Sequence, residues 1–511
     1  MSEILTVDID VYDASRLSET SLTHKGKHFI RKSQLKARRT LGYLQRPGHI
    51  LVEYRILNAA KKAGYDFDPE VDNKSAYDPQ ALVAALARYG TPQTWEPEPS
   101  ALARAMALTF KAFGCQYGHL VPLGLDSGLK DWIWLDKSSG LPECSKKGEA
   151  FDSDLVRAQS IANGDRLSEP CIAYHRVQHG KLGPKTRLVW GYPQSQFLLE
   201  ARFAPLLLEQ YLSKRTPMTL GLRKSQIGTR MAAIRNSGAF YSVDFSGFDS
   251  SIPPALISFA FEVLRSYFVE HFNEEEQRCW DKVVNYFIHT PIMMPDQEVW
   301  IKHRGVPSGS YFTSMVDSIV NYLAITYAWI VSKGEALGRD HILVLGDDSI
   351  VGNTSEVPLI KLAEAVSDLN LTMNVEKTVV GYSGKDWPHF LGHDWKWGMA
   401  DRALEETWRQ SCFPENPSGI KDPEERALIR AFSRSSDATS VWKMLEELLP
   451  SGNSNRFFDY YEGALWAISS SRPVETRMRP GFSAHMEEMG TLDPISVESL
   501  AYTLPMMGPY L

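Results

Sequence analysis

The stretch that most limits how this chain can fold is His341-Ile342-Leu343-Val344-Leu345-Gly346-Asp347-Asp348-Ser349-Ile350-Val351. Two apolar, β-type runs flank a Gly-Asp-Asp centre, which is the pattern of a tight hairpin. Gly and Asp are ordinary turn formers, so taken alone the motif establishes a turn and nothing more. Adjacent carboxylates at a strand tip nevertheless offer hard oxygen ligands of the kind Mg²⁺ or Mn²⁺ takes. One such tip cannot hold two ions, so a two-ion site needs a second acid-bearing tip elsewhere in the chain.

That second tip stands upstream. Ala239-Phe240-Tyr241-Ser242-Val243 reads as a strand ending in Asp244, followed by Phe245-Ser246-Gly247-Phe248-Asp249 and a helical pattern entered through Pro253-Pro254. Two such tips side by side predict a pair of divalent ions roughly 4 Å apart, the arrangement that clamps the attacking and leaving oxygens of a phosphoryl transfer. Between the tips lies Arg304-Gly305-Val306-Pro307-Ser308-Gly309-Ser310-Tyr311-Phe312-Thr313, a loop rich in Gly, Pro and Ser. Thr313, Asp317 and Asn321 then recur every four residues, which puts three polar groups on one helical stripe. Their neighbours Met315, Val316, Ile319, Val320 and Leu323 are too apolar for an exposed helix, so these polar groups are expected to be buried and to need partners.

In this order, Asp-x4-Asp, Ser-Gly-x3-Thr-x7-Asn and Gly-Asp-Asp resemble motifs A, B and C of viral RNA-dependent RNA polymerases. The wording Arg187-Leu188-Val189-Trp190-Gly191-Tyr192-Pro193, Asp-Phe-Ser-Gly-Phe-Asp and Pro-Ser-Gly-Ser-Tyr-Phe-Thr is similar to the enzymes of small double-stranded RNA viruses, partitiviruses first and picobirnaviruses second. The motifs span about residues 138–400. The resemblance implies that Asp244 and Asp347 ligate both catalytic ions, Mg²⁺ or Mn²⁺, with Asp348 in support. Asp249 then matches the acid that reads the ribose 2′-hydroxyl. Ser308, Gly309, Thr313, Asp317 and Asn321 match the loop and helix that position template and nucleotide. Asp317 stands where many positive-strand RNA virus polymerases carry Asn, and a carboxylate donates no hydrogen bond unless protonated. Lys181, Lys185 and Arg187 resemble motif F, whose cations neutralise the triphosphate. Lys377 resembles the motif D general acid, against the plainer reading of an exposed loop lysine. Phe390-Leu391-Gly392-His393 and Ser139-Gly140-Leu141-Pro142 resemble the motif E turn and the motif G loop.

Composition sets the outer bounds. A chain of 511 residues with 43% hydrophobic and 23% charged residues is globular, and disorder as the default is excluded. The net charge of −7 hides a segregation. Residues 23–40 hold Lys25, Lys27, Arg31, Lys32, Lys36, Arg38 and Arg39 with no acid, and residues 171–236 hold eleven Lys/Arg against Glu200 and Glu209. A basic channel inside an acidic exterior needs such a distribution, although either segment alone could be a solvated face. The five cysteines, Cys115, Cys144, Cys171, Cys279 and Cys412, form no CxxC pair and are expected as reduced thiols. No signal peptide is expected, and the apolar stretch at residues 319–331 falls short of a membrane span of ~20 residues. His289, His303, His389 and His393 are read as structural, and Trp395 and Trp397 as packing residues.

The expected fold is α+β: a right-hand polymerase with fingers, a palm of antiparallel sheet backed by helices, and a helical thumb. Residues 1–165 are assigned to the N-terminal region and fingers, 166–240 to fingers with motif F and the start of the palm, 241–400 to the palm, and 401–511 to the thumb and tail. Helix signals support this in part: residues 79–86, a start at Asp422-Pro423-Glu424-Glu425, and the spacing of Val441, Met444, Leu445 and Leu448. The expected reaction is RNA-templated ribonucleotide transfer, with RNA template and product, ribonucleoside triphosphates and a viral capsid protein as partners and no membrane. The expected location is the virion interior and host cytoplasm. Two other readings are a reverse transcriptase and a noncatalytic, capsid-associated RNA-binding protein.

Overall fold

The structure, a computed structural model, describes residues 22–27, 52–72, 79–180, 183–222, 224–236 and 238–414, together with residues 427, 444, 447 and 448. In chain order its strands are β1 (Leu22–Lys27), β2 (Cys171–Gly180), β3 (Gly183–Gly191), β4 (Ala239–Val243), β5 (Pro291–Met293), β6 (Glu298–Lys302), β7 (Ile342–Leu345), β8 (Asp348–Thr354), β9 (Val379–Tyr382), β10 (His389–Phe390), β11 (His393–Lys396) and β12 (Met399–Asp401). They make three sheets, ordered β1-β6-β5-β2-β3, β7-β8-β4-β9 and β10-β11-β12. The four-stranded sheet is antiparallel throughout, as expected for the element bearing the acids.

Both faces of that sheet are covered at β4 and β7, which is why these two strands read as continuous apolar runs. All five residues of β4 are buried. Because side chains alternate along a strand, Tyr241 and Val243 turn to one face while Phe240 turns to the other. The first face meets the helix Thr313–Lys333, where Tyr241 lies edge-on to Trp329 at 5.3 Å. On the second face Phe240, Leu343 and Ile350 join Ile227, Met231 and Ile234 of the helix Lys224–Arg235, with Phe390 and Trp395 closing the cluster.

Thr313–Lys333 is the spine of the molecule. Every residue from Met315 to Ile330 is buried. At 21 residues it is the one described helix long and apolar enough to cross a membrane, longer than the run at 319–331 suggests. It lies almost wholly inside the protein, as a core helix does. Beside it, the helix Glu274–Ile288 opens on a capping box in which Asn273 and Glu276 satisfy each other's backbone N–H groups.

Other sequence expectations meet the structure unevenly. Residues 79–86 are helical, within Pro79–Ala87. Met444 and Leu448 are buried with Ile56, Trp408 and Phe413. The start at residues 422–425, along with Val441 and Leu445, lies outside the described residues, as does the tail. Trp395 is core, but Trp397, at a hairpin turn with φ 56°, is 79% exposed and packs only edge-on against Trp387 at 5.0 Å, so it is no core residue. Trp397-Gly398 must supply two left-handed residues to that turn, and this throws the indole outward. All five cysteines are free.

Candidate active site

Register brings the two acidic tips together. Leu345 pairs with Asp348 across a two-residue turn, and Val243 pairs with Ser349. One step beyond Val243, Asp244 therefore leaves β4 beside Asp348, with Asp347 in the adjoining turn. Gly346 takes φ 60° at the first turn position, as a type II′ turn requires, and a side chain there would meet only open space. Asp347 and Asp348 are exposed to solvent, although protein crowds closely round the Asp348 carboxyl. That enclosure, then the Asp347 carboxylate and, less strongly, Asp244, push the Asp348 carboxyl up to about 7, while His389 and Arg187 oppose the shift.

The helix Thr313–Lys333 holds the turn from below. Ser318 Oγ accepts the Gly346 N–H at 2.9 Å, and Asn321 Nδ2 donates to the Gly346 carbonyl at 3.0 Å. Asn321, expected at the nucleotide, is fully buried; its Nδ2 holds the backbone of the Gly-Asp-Asp turn, while its Oδ1 has no hydrogen-bond partner among the described residues. Ser318 was not anticipated: a serine inside an apolar helix gives no signal beyond its i+4 bond to Ser314. Asp317 is buried, its Oδ1 has no hydrogen-bond partner, and its carboxyl is raised well above the usual range by burial, then by Asp249 and Asp347. The shift favours the protonated form, the one in which this carboxyl can donate a hydrogen bond.

The Gly-Pro-Ser loop is fastened on three sides. Val306 N donates to the Asp249 carbonyl at 2.7 Å and Gly305 N to the Ile252 carbonyl at 2.8 Å. Gly305 has φ 70°, and a Cβ would stand 2.5 Å from the Asp249 carbonyl oxygen. Ser308 Oγ accepts the Trp190 N–H at 3.2 Å. At Gly309 a Cβ would come within 1.8 Å of the Trp190 carbonyl oxygen, so only glycine allows the loop to lie against β3. Thr313 Oγ1 donates to the Pro307 and Ser310 carbonyls at 2.7 and 3.0 Å, so in this structure it closes the loop itself.

Among the basic candidates, Arg187 is exposed on β3 and near enough to act on Asp348. Lys185 lies on β3 opposite Gln178, with its side chain outside the described residues, and Lys181 lies wholly outside them. Lys377 is exposed, in a segment tied to the first tip: Asn374 N donates to the Asp244 carbonyl at 2.8 Å and Asp244 N to Thr378 Oγ1 at 3.1 Å. His289 and His303 bond each other through Nδ1 at 2.8 Å, and His393 bonds the Leu391 carbonyl. His389 differs: its ring bonds Asp394 and its charge reaches Asp348. Glu200, Lys147 and Lys302, all buried near the loop, carried no sequence signal at all.

By chemistry the acids fit a divalent cation. They are hard oxygen donors whose mutual repulsion a cation would relieve, as the raised Asp348 shows. Among the described residues, however, no three His, Cys, Asp or Glu side chains stand as a ready ligand set.

Comparison with known proteins agrees with this geometry. An RNA-directed RNA polymerase of Cryptosporidium parvum virus 1 (strain KSU-1) is 31% identical over 264 residues, which is 47% of this chain and 48% of that protein. Non-structural polyprotein 1AB of Human astrovirus-1 is 26% identical over 147 residues, 28% of this chain and 10% of that one. This chain thus spans about half the length of the first relative and far less of the second. The crystal structure of the RNA-dependent RNA polymerase of a human picobirnavirus superposes with a TM-score of 0.63, at 16% identity and 97% coverage of each chain, and so shares the right-hand fold. The sequence pattern described as viral RNA-dependent RNA polymerase matches residues 141–410, more than half of the chain, and the protein belongs to that family.

Proposed function

We propose that this protein is an RNA-dependent RNA polymerase that adds ribonucleotides to a growing strand under the direction of an RNA template. The observation that carries the reading is the convergence of Asp244, Asp347 and Asp348 at two adjoining strand tips, with Arg187 near enough to act on Asp348. Members of the family generally use divalent metal ions. Asp244, Asp347 and Asp348 would hold Mg²⁺ or Mn²⁺ here, which would supply a lowered pKa for the attacking 3′-hydroxyl and charge neutralisation at the triphosphate. The chain's own groups do the rest. Arg187, with Lys185 and Lys181, draws the triphosphate in. Asp249 reads the ribose 2′-hydroxyl, with Asp317 beside it. The loop at Ser308 and Gly309 orients the nucleotide, and Lys377 gives a proton to the departing pyrophosphate.

On the same reading residues 1–165 are the N-terminal region and fingers, 166–240 the fingers with motif F and the start of the palm, 241–400 the palm, and 401–511 the thumb and tail. The capsid protein is the partner, and the virion interior and host cytoplasm the place of work. The resemblance to small double-stranded RNA virus enzymes supports these assignments. The test is template-directed incorporation of each nucleotide type by the purified chain, with and without Mg²⁺ or Mn²⁺. Ribonucleotide incorporation that needs both template and metal is expected. RNA binding without synthesis under any of these conditions would sink the reading, and preferential use of deoxyribonucleotides would turn it into a reverse transcriptase.

A further inference from the structure

The helix Gln194–Ala201 is buried over all eight residues, including Gln194, Ser195, Gln196 and Glu200. Amphipathic packing does not produce such a helix, and buried polar side chains of this density are kept for the bonds they make. At its C-terminal end both oxygens of Glu200 accept from Ser310 Oγ, each at 2.9 Å, and one accepts the Tyr311 N–H at 2.8 Å. Ser310 and Tyr311 directly follow Ser308-Gly309. Ser310 Oγ in turn accepts the Phe312 N–H at 3.1 Å, and the Ser310 carbonyl accepts from Thr313. Glu200 therefore grips the limb of the loop that leads into the helix carrying Asp317.

The other end of the same short helix holds a different loop. Gln194 N donates to the Ser139 carbonyl at 2.7 Å, and Gln194 Nε2 to the Lys147 carbonyl at 3.0 Å. Lys147 is buried with its Nζ 3.2 Å above the Phe197 ring, and Phe197 stacks on Tyr311 at 4.3 Å. Burial drives Glu200 up to about 8 and Lys147 down to about 7, each partly restrained by the other's charge. One eight-residue helix thus fastens both the 139–147 turn and the 308–311 loop.

We infer that Glu200 is a positioning residue for nucleotide selection, fixing the Ser308-Gly309 loop and the first turns of the helix Thr313–Lys333 against Asp249. The inference rests on the polymerase reading and adds to it a residue that touches no substrate. Its test is single-nucleotide incorporation on a defined RNA template by the full chain, comparing a ribonucleoside triphosphate with its deoxy counterpart. For Glu200→Gln the ribonucleotide KM should rise roughly tenfold while kcat stays within about threefold, since the amide replaces one of two acceptor oxygens by an NH2 group that cannot accept from Ser310 or Tyr311, without touching the acids. The ratio of ribo- to deoxyribonucleotide kcat/KM should fall by about tenfold. That ratio does not depend on the fraction of folded enzyme, so a merely structural role would leave it unchanged. Ser310→Ala, which removes only one hydroxyl, should move it in the same direction and carries the test if the Glu200 variant does not fold. The double variant should be no worse than Glu200→Gln alone. An active wild type whose variants keep the wild-type ratio, or whose two effects multiply, overturns this inference alone. A wild type that copies no template overturns the polymerase reading and this inference with it.

Discussion

Two charged regions lie on either side of the Gly305–Gly309 loop, and they treat charge in opposite ways. At the strand tips Asp347 and Asp348 are exposed and crowd one another, and among the described residues no cationic side chain forms an ion pair with either. At the root of the loop Lys302 is fully buried, and its Nζ donates to the carbonyls of Phe287, Ile288 and Gly305 at 2.5, 3.1 and 2.8 Å. Burial pushes its pKa well down. Three carbonyl acceptors nevertheless match the three donors of an ammonium, and a cation suits the C-terminus of the helix Glu274–Ile288. The acids are left in want of an external partner, whereas the lysine has all of its partners supplied by the protein. Groups that act on a ligand are kept unsatisfied at a price in stability; groups that hold the scaffold are not.

The sharpest way to break this contrast is to remove a member of each region. Asp347→Ala should lower nucleotide incorporation on the order of 10³-fold or more, because a ligand of developing charge is lost. Its thermal midpoint should stay level or rise slightly, since Asp348 and Asp317 each lose a repelling neighbour. Lys302→Met should do the reverse. It keeps the stem but takes a donor from three buried carbonyls, of which only that of Phe287 keeps another among the described residues, from Thr290 Oγ1, at about 3 kcal/mol of stability measured by denaturant unfolding. A stable Lys302→Met, or a badly unfolded Asp347→Ala, would show that the two regions do not differ in the way described.

How much of this was legible beforehand follows the same division. Asp244, Asp347 and Asp348 stand at strand tips, where apolar runs stop at turn residues, and this local pattern betrays them. The antiparallel sheet beneath them follows from the same runs. Lys302 and Glu200 carry no such mark, because each is recognised only by partners from distant chain: Phe287 and Ile288 for one, Ser310 and Tyr311 for the other. Asn321 was found, but its partner was not. Its spacing puts it on the stripe of Thr313 and Asp317, yet only the tertiary arrangement shows that its Nδ2 is bonded to the Gly346 carbonyl. The exposure of Trp397 escaped for a simpler reason: composition argues for packing, whereas the turn needs two left-handed residues.

Gly309 joins the two regions and sharpens the comparison. A methyl there would collide with the Trp190 carbonyl oxygen, which belongs to a strand and cannot swing aside as a side chain could. Gly309→Ala should therefore displace the loop and cost about 2 kcal/mol of stability. It should also raise the nucleotide KM more than it raises the dissociation constant for RNA. Equal changes in both constants would mean that the loop serves the template and the nucleotide alike.

The smallest effect tests whether the scaffold is as self-sufficient as Lys302 suggests. His289 and His303 share a hydrogen bond beside Lys302, and His303 Nε2 reaches Thr23 Oγ1 of β1 at 2.7 Å. Burial, then the neighbouring His303 and Lys302, press His289 down to about 4, and His303 is lowered by burial, Lys302 and Lys25. A histidine whose folded pKa is depressed stays neutral while its unfolded counterpart takes up a proton. Its contribution to stability is therefore complete above the ordinary histidine pKa and is lost as pH falls from about 6.5 towards 4. Partial solvent access limits the His289 share to about 1–2 kcal/mol across that window. Asn at position 289 can make the same bond to His303 without titrating, so His289→Asn should flatten the fall in unfolding free energy between pH 6.5 and 4 relative to wild type. Parallel curves for the two proteins would mean that the histidine pair is already hydrated, and that the satisfied region ends at Lys302.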